Sequence, residues 1–230
     1  MKKSFTLIEL VFVLVVIGII AATIIPRSNT NSLQEAAIQV LAHIRYTQHL
    51  ALVDDKFDQN DPYWYKKRWL IVFSNSVGTD NDTAYTIFSD IDGSSTGDPG
   101  ATGPEIAINP EDPTKKLTGG YGNTISPLHP VAFTVVTQKL NLTKTYGVTD
   151  VSFSSACKNN GKGTRINFDH LGRPMRGRLG SSTGTHGNIE AYEDDNLIKS
   201  DCNITISNGI DNAIITVSPE TGYARIVKYK

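Results

Sequence analysis

Glu9 is the first residue whose chemistry needs explaining. It stands just before Leu10 to Ile25, a run with no charge at all, LVFVLVVIGIIAATII. A carboxylate in such a run costs about 2.5–3.5 kcal/mol to place in a bilayer, and it calls for a positive partner. The other chemistry-bearing residues are dispersed. His43, His49, His129, His170 and His186 show no ligand spacing, and His43 and His49 do not share a helix face. No G-x-S-x-G, H-E-x-x-H or Walker loop occurs, so catalysis is not expected. Asp90 and Asp92 lie in Asp90-Ile91-Asp92-Gly93-Ser94, which lacks the glycine position and closing glutamate of an EF-hand loop. They read as solvated turn acids, and neither a metal nor another cofactor is expected. Arg165, Arg173, Arg176 and Arg178, with Lys162, form a basic stretch. It reads as a solvated loop or as a phosphate-contacting patch. Cys157 and Cys202 are the only cysteines and form no C-x-x-C pair. They are either two buried thiols or one disulfide.

The elements around these residues follow from hydropathy and punctuation. The chain has 230 residues and a net charge of -1, a balance that calls for neither nucleic acid nor an acidic substrate. As a helix, Phe5 to Ile25 would be roughly 30 Å long, which predicts a transmembrane segment over residues 5–26. Lys2 and Lys3 precede it and Arg27 alone follows, a slight bias that puts the N-terminus in the cytoplasm. An ordinary secretory signal has a shorter apolar region and no use for a carboxylate near its start. With the body on the far side, in an oxidising compartment, a Cys157–Cys202 disulfide is expected. Pro26 predicts a kink. Ser32-x-x-Glu35 is a capping-box pattern. Leu33, Ala36, Ala37, Val40, Leu41, Ile44 and Ala51 then fall on one face of a helix, predicted to continue over residues 27–55.

From residue 56 the pattern is that of strands. They are predicted at Trp69–Phe73, Tyr85–Phe88, Val131–Val136, Val148–Phe153, Arg165–Phe168, Cys202–Ile206, Ala213–Val217 and Tyr223–Val227. Asp90–Gly103 and Gly172–Gly187 read as loops.

Lys3-Ser4-Phe5-Thr6-Leu7-Ile8-Glu9-Leu10, followed by an apolar helix, resembles the class III signal of type IV pilins and type II secretion pseudopilins. The resemblance implies a four-residue leader, residues 1–4, cut between Ser4 and Phe5 by a prepilin peptidase that also methylates Phe5. The family usually has Gly before the cut, where this chain has Ser4. Glu9 takes the place of the family's assembly glutamate, Gly18 that of its flexible glycine and Pro26 that of its kinking proline. Three later segments resemble the H-type minor pseudopilins and their FimT-like relatives. They are Ala42-His43-Ile44-Arg45-Tyr46-Thr47-Gln48, Arg165-Ile166-Asn167-Phe168-Asp169-x-x-Gly172-Arg173-Pro174 and Glu220-Thr221-Gly222-Tyr223-Ala224-Arg225-Ile226.

The fold so implied is α+β: a long N-terminal helix, its first half transmembrane, packed on an antiparallel β-rich headpiece over residues 56–230. The function implied is that of a minor pseudopilin in the periplasmic pseudopilus of type II secretion. The chain would be a single-pass inner-membrane protein before it joins the filament. Expected partners are other pseudopilins or pilins, the prepilin peptidase and methyltransferase, and the inner-membrane assembly platform. Nucleic acid is not among them. The alternative is a DNA-uptake minor pilin, with Arg173, Arg176, Arg178 and Arg225 on DNA. In that group a G-R-x-R motif does the binding, and here the place reads Gly222-Tyr223-Ala224-Arg225, without the first arginine.

Overall fold

Two helices of different character begin the chain in the computed structural model. It describes residues 7–24, 31–61, 64, 67–76, 79–89, 105–120, 135–158, 163–177 and 196–229. Helix α1, Leu7–Ile24, is 18 residues long and apolar but for Glu9 in its first turn and Thr23 near its end. Helix α2, Ser32–Val53, has 22 residues and a single buried stripe. The two belong to separate compact units, Met1–Asn31 and Ser32–Lys230.

This arrangement corrects the expectation of one long N-terminal helix whose first half spans a membrane. The described helices are separate segments, and none is long and apolar enough to cross a membrane. The transmembrane segment over 5–26, and with it a single-pass inner-membrane location with a cytoplasmic N-terminus, is therefore not what the structure supports. Ser4, Phe5 and Pro26 lie outside the described residues.

In the second unit, α2 buries Leu33, Ala36, Ala37, Val40, Ile44, Thr47 and Ala51. Thr47 is polar, yet its hydroxyl donates back to the His43 carbonyl at 2.7 Å, so burial leaves no orphan. The alanines keep this stripe low, which lets the backbone of α2 lie close to strands. It packs against two antiparallel four-stranded sheets. The first has the order β2-β1-β4-β5, with β1 Trp69–Ser74, β2 Ala84–Ser89, β4 Arg165–Phe168 and β5 Pro174–Arg176. The second has the order β3-β6-β7-β8, with β3 Asp150–Phe153, β6 Cys202–Ser207, β7 Asn212–Val217 and β8 Ala224–Tyr229. Register places Ile71 opposite Ile87 and Ile166, and Ile204 opposite Phe153 and Ile215. These side chains join α2 in one core. A short helix α3, Leu142–Tyr146, lies between the β2 end and β3, capped by the Asn141 side chain and closed by Gly147 at φ 71°.

Two sequence expectations change here. Gly172–Gly187 was expected as loop, yet Pro174–Arg176 pairs with β4 as the edge strand β5. Proline is tolerated there because Pro174 is the first residue of the strand, and Met175 sinks to 1% exposure. Of the strand expected at Val131–Val136, residues 131–134 lie outside the described residues. Val136 forms only an isolated bridge to Lys116.

Candidate functional site

Helix α1 shows its apolar side chains to solvent, with Leu7 82%, Ile8 78% and Phe12 68% exposed. Glu9 lies in its first turn. A carboxylate there also meets the partial positive charge of the helix start. Gly18 lies inside the helical backbone of α1.

The two cysteines are joined. Cys157 ends a short 3-10 turn after β3, Cys202 begins β6, and their Cα atoms are 5.2 Å apart. Both are buried, and the adjacent Asn203 amide donates to Ser154 Oγ at 3.0 Å. The bridge thus ties the exit of one strand to the entry of the next.

The arginines are less available for phosphate than their sequence spacing implied. Arg173 Nε donates to Asp169 Oδ2 at 2.7 Å. Asp169 is itself buried, and its Oδ1 accepts the Leu171 and Arg173 amides at 3.0 and 2.8 Å. This pair builds the β4–β5 turn. Arg176 is half-buried on β5, and Arg178 lies outside the described residues. Arg225 is exposed on β8, with Nη1 3.5 Å from Ser218 Oγ. Binding to the DNA backbone needs several uncommitted cations. We expect residues 32–230 to give no retardation of duplex DNA at physiological salt. Micromolar retardation, lost when Arg173, Arg176 and Arg178 become alanine, would reverse that.

The three segments that carry the H-type resemblance meet in space. Arg45 donates from Nη2 and Nε to the Ala224 carbonyl at 2.7 and 3.2 Å, and its guanidinium lies 5.7 Å from the centroid of the Tyr223 ring. One turn on, Gln48 Nε2 donates to the carbonyls of Gly172 and Thr221, both at 2.8 Å. Gly222 has φ +64°, and a Cβ there would fall 2.5 Å from Gln48 Nε2 and 2.8 Å from the Gly172 oxygen. So α2 clasps one turn from each sheet, β4–β5 and β7–β8. The clasp holds no group placed for chemistry. It positions the sheets.

A second polar network on α2 centres on His43, which the sequence offered only as one of five scattered histidines. Tyr85 is wholly buried on β2. Gln39 Nε2 donates to its oxygen at 2.8 Å, and the oxygen lies 2.6 Å from His43 Nδ1. Gln39 Nε2 also reaches the Lys139 carbonyl at 2.9 Å, and Tyr146 donates to Gln39 Oε1 at 2.7 Å. A carbonyl only accepts, so the Gln39 amide orientation is fixed. The buried Tyr85 hydroxyl needs an acceptor, and among the described residues His43 Nδ1 is the one in reach. His43 therefore carries its proton on Nε2.

Burial lowers the His43 pKa from its ordinary 6.5 to about 4, against a smaller upward pull from Glu111. Burial raises the Tyr85 pKa far above its usual value. A second proton on His43 would occupy Nδ1 and orphan the Tyr85 hydroxyl. Between pH 6.5 and 4 the unfolded chain binds a proton here that the folded chain refuses. Stability that is complete above pH 6.5 is therefore lost as pH falls through this window, by up to about 3 kcal/mol. We expect thermal unfolding of the wild type to fall more steeply from pH 6.5 to 4 than that of His43→Gln. Parallel pH curves would remove His43 as the cause.

Compared with known proteins, the chain matches no family model, no curated protein and no solved structure.

Proposed function

We propose that this chain is a structural subunit of a type II secretion pseudopilus, a minor pseudopilin, and not an enzyme. The observation that carries the reading is α1: an apolar helix with exposed Leu7, Ile8 and Phe12 and one carboxylate, Glu9, in its first turn. One chain leaves that surface uncovered, and parallel copies of such a helix in a filament would cover it by apolar burial. The motif from Phe5 to Leu10 supports the same reading through its likeness to the class III signal. The unit from Ser32 onward supplies a disulfide-stapled body to display on that filament. Its partners in this reading are other pseudopilins, the prepilin peptidase and methyltransferase that process Ser4–Phe5, and the assembly platform of the secretion machine.

Processing tests the proposal. Mass analysis of the N-terminus, on protein recovered from its host, is expected to show Phe5 first with one added methyl. A mature chain starting at Thr23, as an ordinary signal peptidase would leave it, would overturn the reading.

A further inference from the structure

One stripe of α2 is not spent on the core. Glu35, Ile38, Gln39, Ala42 and His43 follow one another at helical spacing beside the buried face and line an open cleft of about 310 Å³. Its opposite wall is built from Asn109, Glu111, Thr137 and Lys139. The floor is rigid. Gln39 is held by Tyr85, Tyr146 and the Lys139 carbonyl, and His43 by Tyr85. Asn109 is buried, with Nδ2 donating to Thr137 Oγ1 at 3.3 Å and Oδ1 accepting the Glu111 amide at 2.9 Å.

Three features of this lining point to one kind of occupant. Two carboxylates, Glu35 and Glu111, face one ammonium, Lys139, and His43 is neutral, so the cleft is net negative. Among the described residues neither carboxylate is within ion-pair distance of a cation. Ile38 is 52% exposed at the same place, an apolar surface suited to the methylenes of a long basic side chain. The tautomer fixed by Tyr85 also leaves His43 with an Nε2–H donor, which has no acceptor among the described residues.

We propose that this cleft is a docking site for a peptide segment of a partner protein that presents an arginine or lysine. The basic stem lies along Ile38, its cationic head faces Glu35 and Glu111, and a backbone carbonyl of the segment accepts from His43 Nε2–H. This does not rest on the pseudopilus reading, since the recognition comes from the cleft alone.

The test uses the full chain and two probes, acetyl-Gly-Arg-Gly-amide and its uncharged counterpart with citrulline in place of arginine. The readout is the imidazole carbon–proton resonance of His43 during NMR titration at pH 7. The arginine peptide is expected to give a saturable shift at about ten-fold lower concentration than the citrulline peptide. The double variant E35Q/E111Q is expected to lose that preference. Both glutamates are exposed, so the variant keeps the fold. Equal response to the two probes, no saturable shift of His43 with either, or a preference that survives E35Q/E111Q would each overturn the proposal.

Discussion

Glu9→Leu is expected to abolish co-purification and crosslinking of the chain with its filament partners while leaving cleavage before Phe5 intact. In the proposed filament, cleavage creates an α-amine on Phe5, and the Glu9 carboxylate of the neighbouring subunit is its counter-charge. Both charges would sit among packed apolar helices, where the dielectric is low and their attraction is much stronger than in water. Removing the carboxylate leaves the amine buried alone, a penalty of about 3–5 kcal/mol. That corresponds to roughly a hundred-fold to several-thousand-fold weaker association at each step. Glu9→Asp keeps the charge but shortens its reach by one methylene, so its assembly should fall between the two. The peptidase acts before the pair exists, so processing and assembly should separate cleanly in Glu9→Leu. If this variant joined the filament as well as the wild type, helix packing alone would set the register and the charge pair would have no role.

Losing the Cys157–Cys202 bridge should have the largest effect on stability. The bridge closes a loop with a sequence separation of 45 residues. Chain entropy assigns such a loop roughly 4 kcal/mol, an upper figure because the reduced chain keeps some structure. Both sulfurs are buried in the core, so reduction also leaves two small polarisable groups where a covalent tie held β3 against β6. The double variant Cys157→Ser/Cys202→Ser should lower the urea midpoint markedly at an unchanged or larger denaturant slope. The oxidised wild type treated with a strong reductant should approach the same midpoint. Two free thiols on non-reducing peptide mapping of protein from an oxidising compartment would remove the bridge from the account.

Much of the unit from Ser32 onward was legible along the chain. Trp69–Phe73, Arg165–Phe168 and Cys202–Ile206 announce themselves as strands because alternation and β-branched content are local properties of the pleated backbone. The buried face of α2 was legible from Leu33, Ala36, Ala37, Val40, Ile44 and Ala51 because helical period is also local. Pro174–Arg176 was missed because three residues that follow a turn and open on a proline carry no periodic signal. What makes them a strand is the neighbouring β4 edge and the room for Met175.

The sequence by itself determined the composition of the first helix, the position of Glu9 within it, the pairing choice for two lone cysteines and the absence of catalytic motifs. Helix extent was not among these. Hydropathy said that residues from Phe5 onward are apolar, yet an apolar run does not by itself mark where a helix starts or stops; the described helices are α1, Leu7–Ile24, and α2, Ser32–Val53. The tertiary structure alone decided the long-range polar contacts. Arg45 meets the Ala224 carbonyl across 179 positions, Gln48 meets Gly172 across 124, and His43 meets Tyr85 across 42. Each is a directional contact whose donor and acceptor are unremarkable in their own segments. Only the packing of α2 on two sheets brings them within 3 Å, because hydrogen bonds fall off steeply with distance and angle while periodicity does not.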